Sequence, residues 1–136
     1  MTKTIPKIQR YMTTTPLTIN VELNLLHAKK VMQDHHIRHL PVMEHGEVVG
    51  IISEKDIDFI QTFSGVDLKS ELVKNAMTSD PYIVETNAQL DEVCQYMAKN
   101  KFGSVLVQDN KKLVGIFTWI DALNAMSELL HTRLGH

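Results

Sequence analysis

Gly50-Ile51-Ile52-Ser53-Glu54-Lys55-Asp56 recurs 65 residues further on as Gly115-Ile116-Phe117-Thr118-Trp119-Ile120-Asp121. Each copy reads as the end of an apolar strand (Val48 to Ile52, Leu113 to Phe117) running straight into a helix, with a hydroxyl at the junction and a carboxylate three residues later. That is a capping-box pattern: the hydroxyl accepts from an early helix amide, and the acid sits near the positive end of the helix dipole. One such pattern is most often only a helix start. A repeated one calls for more.

The repetition extends well beyond the junction. Setting residue n against n+65 without gaps pairs identical residues at Met12/Met77, Thr13/Thr78, Pro16/Pro81, Leu25/Leu90, Met32/Met97, Val42/Val107, Val49/Val114, Gly50/Gly115, Ile51/Ile116 and Asp56/Asp121. These are ten matches over the 46 positions from 12 to 57. Chance at about one in twenty gives roughly two or three, so the chain holds an internal duplication. A period this long is one supersecondary unit per copy, and two such units are expected to be related by an approximate two-fold.

The chain of 136 residues, 43% hydrophobic, has enough length for one module with a core, with repeat one at about 5–64, repeat two at about 70–130 and an extension at 131–136. Its net charge of −2 gives no field that would gather nucleic acid or anionic lipid; Lys99, Lys101, Lys111 and Lys112 read as a solvated patch. No apolar run could span a bilayer, and the start, Met1-Thr-Lys-Thr-Ile-Pro-Lys, lacks the apolar core of a secretion signal. A cytoplasmic protein is therefore expected. The single Cys94 cannot form an internal disulfide and falls on an apolar helix face, where an inert thiol is the ordinary outcome.

Along the chain, Ile5 to Tyr11 is a turn-like lead-in stopped at Thr13-Thr14-Thr15-Pro16. A short strand (Leu17 to Val21), a helix (Leu23 to His35), a hairpin (Ile37 to Met43, then Val48 to Ile52) and the helix opened at Ser53 follow. The second copy runs in the same order: lead-in Asp67 to Ala76, stop Ser79-Asp80-Pro81, strand Tyr82 to Glu85, hairpin strands Ser104 to Gln108 and Lys112 to Phe117, and a last helix from Thr118 to about Thr132. Thr86-Asn87-Ala88-Gln89 is expected to form a capping box for the helix carrying Leu90, Val93, Cys94 and Met97. On the last helix Ile120, Leu123, Met126, Leu130 and Leu134 share one side, read in part as a subunit contact, with packing inside the chain as the alternative. Trp119, directly after Thr118, reads as interface or core, with stacking on an aromatic base as the alternative.

This order, the Met-Thr-x-x-Pro opening, the Arg38-His39-Leu40-Pro41 strand and the twice-used Gly-h-h-[Ser/Thr]-x-x-Asp close resemble a tandem pair of cystathionine-beta-synthase (CBS) domains, a Bateman module, over about residues 5 to 130. The resemblance implies a mixed α/β (α+β) fold of two β-α-β-β-α repeats related by a pseudo-two-fold and packed through their sheets. It also implies adenosine ligands, with Asp on ribose and Ser or Thr on phosphate. Carried across by position, one pocket comprises Thr15, Leu17, Thr18, Ile37, Arg38, His39, Leu40, Pro41, Ile52, Ser53 and Asp56; the other comprises Asp80, Tyr82, Ile83, Phe102, Gly103, Ser104, Val105, Leu106, Phe117, Thr118 and Asp121. Gly103, Ser104 and Leu106 stand where the first copy has Arg38, His39 and Pro41, so the second copy departs from the family's His-x-Pro pattern.

The chemistry of these residue types suits binding. A helix N-terminus attracts phosphate, and an ionised Asp accepts from two ribose hydroxyls. No nucleophile and base, and no glycine-rich phosphate loop, point to catalysis. His35, His36, His39 and His45 suggest a metal only if a helix persisted through Arg38, which the strand expected there denies. The expectation is a non-catalytic regulatory module needing no cofactor. It would bind AMP, ADP or ATP, with S-adenosylmethionine or NAD also in range, form a homodimer and signal in trans to an unidentified protein partner. An oligomerisation or interaction scaffold with vestigial pockets is the alternative, and a metal-dependent enzyme a third reading.

Overall fold

The computed structural model describes residues 4–134. Met1 to Lys3, which begin the stretch read for a signal, and Gly135 and His136 of the extension lie outside the described residues. Among the described residues the fold is mixed α/β, with four α-helices and two four-stranded sheets. The described residues divide into two compact units, 16–81 and 4–15 with 82–134.

In the first unit β2 (Ile19–Asn20), β3 (His39–Glu44), β4 (Glu47–Ser53) and β5 (Thr78–Ser79) lie side by side in that order. β2 runs parallel to β3 across the helix α1 (Leu25–His35), and the β3–β4 and β4–β5 pairs are antiparallel. Asn24 caps α1 by accepting from the His27 amide at 2.8 Å, and the Leu25, Ala28 and Met32 face is buried. The hairpin turns through His45 and Gly46, both at positive φ (52° and 79°), the pattern whose twist suits two-residue hairpins. With α2 (Glu54–Gln61) on the same side as α1, the core is Ile19, Val21, Leu25, Ala28, Met32, Leu40, Val42, Ile52, Ile57 and Val73.

The other unit repeats this from β6 (Ile83–Glu85), α3 (Leu90–Asn100), β7 (Ser104–Asp109), β8 (Lys112–Thr118) and α4 (Trp119–Arg133), joined by β1 (Thr13–Thr14) in the order β1-β8-β7-β6. Asn110 and Lys111 make the hairpin turn at φ 50° and 67°. Ile8, Leu90, Val93, Met97, Val105, Val107, Phe117 and Ala125 form its core. Register shifts fall between Val42 and Met43 and between Val107 and Gln108, equivalent positions in the two copies.

Two readings of the sequence are corrected. The expected stops at Thr13–Pro16 and Ser79–Pro81 each begin with a short strand, β1 and β5, and each of these strands pairs with the closing strand of the other copy: Thr13 opposite Ile116, Thr78 opposite Ile51. The lead-ins follow them. The Ile8 amide donates to Ala88 O at 2.8 Å, and Val73, 65 positions on, donates to Leu23 O at 2.8 Å. The second correction concerns Thr86 to Gln89, which make no capping box. The helix starts three residues later than that box requires: Gln89, not Thr86, is the N-cap of α3 and makes no side-chain bond, while the first helical amide, Leu90, donates to Pro6 O at 2.9 Å.

Candidate functional site

The strand-to-helix junctions form as the sequence indicated. Ser53 Oγ accepts from the Asp56 amide at 3.2 Å while Asp56 Oδ2 accepts from the Ser53 amide at 2.8 Å, closing the box at the start of α2. At α4 the Thr118 amide donates to Asp121 Oδ2 at 2.9 Å and the Asp121 amide donates to Thr118 Oγ1 at 3.4 Å. A neighbouring strand meets each junction in the same way. Glu54 N–H donates to Arg38 O at 2.9 Å, and Trp119 N–H to Gly103 O at 3.2 Å. These bonds occupy three of the leading amides at α2, leaving Lys55 N–H without a partner among the described bonds. Asp56 and Asp121 are both half-buried.

The junctions differ in what surrounds them. Across from Ser53 stands His39, half-buried. Burial lowers its pKa from 6.5; the Asp56 carboxylate pulls it back up, Arg38 and Lys55 press it down and Glu54 raises it. Five ionisable groups therefore share one junction. Across from Thr118 stands Ser104. There Thr13, a residue the sequence reading did not single out, donates its hydroxyl to Asp121 Oδ1 at 3.2 Å and to Oδ2 at 3.4 Å, and Thr118 Oγ1 lies 3.3 Å from Oδ2. The identity of Thr13 with Thr78 under the 65-residue offset was the available signal.

The remaining candidates divide by burial and by unit. Leu40 and Ile52, and in the other unit Val105 and Phe117, are fully buried among the core side chains, so only their backbone faces the junctions. Pro41 and Leu106 are also buried. Leu17, Thr18 and Arg38 are exposed and Ile37 half-buried in the first unit; Tyr82, Ile83, Ser104 and Thr118 are half-buried and Phe102 and Gly103 exposed in the second. Thr15 and Asp80 each fall in the unit opposite to the rest of their sets. Both are exposed and hold left-handed backbones, at φ 50° and 54°. The histidines spread out: α1 ends at His35, His36 is its left-handed cap, His39 opens β3 and His45 lies in the turn. Among the described residues no three His, Cys, Asp or Glu side chains gather as a metal site. Cys94 is half-buried and its thiol pKa is raised by burial, then by Asp91, so it carries little thiolate. Trp119 is exposed rather than part of the core. Among the described residues no helix is long and apolar enough to cross a membrane.

A fold of this kind, duplicated around two such junctions, defines a tandem-repeat α/β module. The CBS domain family model matches residues 8–59 and 73–128, and the chain belongs to that family. It is 34% identical over 134 residues to the uncharacterized protein YlbB of Bacillus subtilis, covering 95% of this chain and 86% of that protein. To inosine-5′-monophosphate dehydrogenase of Korarchaeum cryptofilum it is 28% identical, but it spans only 27% of that protein's length. Among solved structures it is similar to AcuB of Vibrio cholerae, a protein named for acetoin utilization (TM-score 0.84, 30% identity, 96% of each chain). It is also similar to the CBS domain pair of protein MJ0100 in complex with 5′-methylthioadenosine and S-adenosyl-L-methionine (TM-score 0.83, 26% identity, 92% of this chain and 98% of that one).

Proposed function

We propose that this chain is a non-catalytic regulatory module that takes an adenine nucleotide at its strand-to-helix junctions and passes the change to a protein partner. The observation that carries the reading is the first junction. A half-buried Asp56 stands ready to accept from ribose hydroxyls, and Ser53, Arg38 and His39 stand beside it as donors to phosphate. Support comes from MJ0100, whose CBS pair was solved with two adenosine compounds. The groups present, a carboxylate, a hydroxyl and cations, suit holding a ligand. The ligand biases the module between arrangements that the partner distinguishes. We further propose a homodimer, supported by the row Ile120, Leu123, Met126 and Leu130 on α4, each roughly half exposed or more (47%, 57%, 56% and 49%).

Calorimetry and thermal shift with AMP, ADP, ATP and GMP on the parent, Asp56→Asn and Arg38→Ala test this. Asp56→Asn keeps an oxygen for the Ser53 amide, so the cap survives while the charge is lost. A ligand at 100-fold its Kd adds about 2.7 kcal/mol of stability. The expected result is adenine-selective stabilisation of the parent, weakened in both variants. No shift with any nucleotide would leave a scaffold built on the α4 row.

A further inference from the structure

The two junctions differ in charge, and the difference follows the repeat. Arg38, His39, Glu54 and Lys55 of the first copy correspond to Gly103, Ser104, Trp119 and Ile120 of the second, so four polar ionisable side chains become none. The acid is kept, as Asp121, and no ion pair joins it to any cation among the described residues. Lys101, two residues before Gly103, is the exposed cap of α3. A phosphate brought to this junction would meet a carboxylate with no side-chain cation at the positions equivalent to Arg38, His39 and Lys55 to offset it.

In place of charge the second copy has rings. Tyr82, Tyr96 and Phe102 have centroids 4.3, 6.0 and 5.9 Å apart and planes within 33–39° of one another. Their counterparts are Leu17, Val31 and Ile37. The rings are not absorbed into the core, since Tyr96 and Phe102 are 44% and 40% exposed. They fall at the same end of the strands as the junction: Tyr82 O accepts from Leu106 N–H at 2.9 Å on β7, Phe102 lies two residues before Ser104, and Ser104 pairs with Thr118. An exposed aromatic patch at the strand end that also carries a carboxylate and a hydroxyl offers a platform for a planar base whose sugar turns toward the acid. Asp121 Oδ1 accepts from Thr13 alone and keeps a lone pair for a ribose hydroxyl.

We propose that the second-copy junction selects an adenine nucleoside without phosphate, uncharged or cationic at its 5′ end, whereas the first-copy junction takes the phosphorylated nucleotide. This rests on the adenine-binding reading above and divides its ligands between the two copies. The test is calorimetry on the full chain with 5′-methylthioadenosine and with ADP, on the parent, Phe102→Ala, Tyr96→Ala and Arg38→Ala, with unliganded melting curves to confirm folding. Tyr96 is exposed enough that its loss leaves the core intact. Losing one stacking ring lowers the ratio of methylthioadenosine to ADP affinity by about 5- to 150-fold, and Arg38→Ala raises it about 10-fold or more. A ratio unchanged in the ring variants, or ADP binding by a parent that ignores methylthioadenosine, overturns this proposal alone. A parent that binds neither overturns the adenine-binding reading with it.

Discussion

Two side chains show how a single group sets local energetics. The Tyr11 hydroxyl is buried with no hydrogen-bond partner among the described residues, while its ring packs against the second unit's core and under the Arg10 guanidinium, 5.3 Å from the centroid. A buried polar atom left unpaired costs about 1–3 kcal/mol, whereas the ring's packing survives deletion of the oxygen. Tyr11→Phe should therefore raise the denaturant midpoint, by about 1 kcal/mol in stability; a loss of stability would mean that the hydroxyl has a partner. His39 works through pH. Its pKa in the folded chain lies below 6.5, chiefly through burial, so below that pH the unfolded chain binds the proton more readily than the folded one. The stability that a neutral His39 permits is complete above pH 6.5 and is lost as the pH falls through its lowered pKa. His39→Asn should flatten the fall of Tm with pH in that range relative to the parent; parallel curves would refute the assignment.

At the scale of elements, the closing strands carry a glycine where the short strands cross them. A Cβ on Gly50 would lie 2.7 Å from both Thr78 O and Met77 Sδ; one on Gly115 would lie 2.5 Å from Met12 Sδ but 3.1 Å from Thr13 O. The thioether can swing aside, while the Thr78 carbonyl cannot retreat without disturbing the β4–β5 pairing. Gly50→Ala should thus cost about 2–3 kcal/mol and Gly115→Ala about 1, measured by chemical denaturation; equal losses would show that β5 yields as readily as Met12. These glycines and methionines were visible beforehand as identical pairs under the offset, as were the capping boxes and the hairpins, because each is specified within a few residues. β1 and β5 were not. They are two residues long, exposed, and paired with strands distant in the chain, so no local pattern marks them. The bond from the first amide of α3 to Pro6 O, far away in sequence, is equally invisible to local reading. At the junctions the carboxylates could be read directly, but the Thr13 bond to Asp121 and the ring cluster around Tyr96 depend on tertiary packing.

For the whole molecule, the duplication in sequence and the compaction in space are out of step by one lead-in. Residues 5–70, which take in the first sequence repeat at about 5–64, contain Ile8 without Leu90, Val93, Val105 and Phe117, the residues of its core cluster, and they lack Val73, which is fully buried in the first unit's core, and β5. Residues 16–81, equal in length, contain the whole four-stranded sheet, both helices and the entire core cluster of that unit. Burying a side chain such as Val73 is worth about 1.5–3 kcal/mol, a large share of what a fragment this short can muster. The 16–81 fragment should therefore show the stronger helical circular dichroism and the sharper urea transition, with more amides protected from exchange along β3 and β4. If 5–70 proved the better folded of the two, the lead-ins would be dispensable attachments. The exchange of segments between copies would then add little to the stability of either unit.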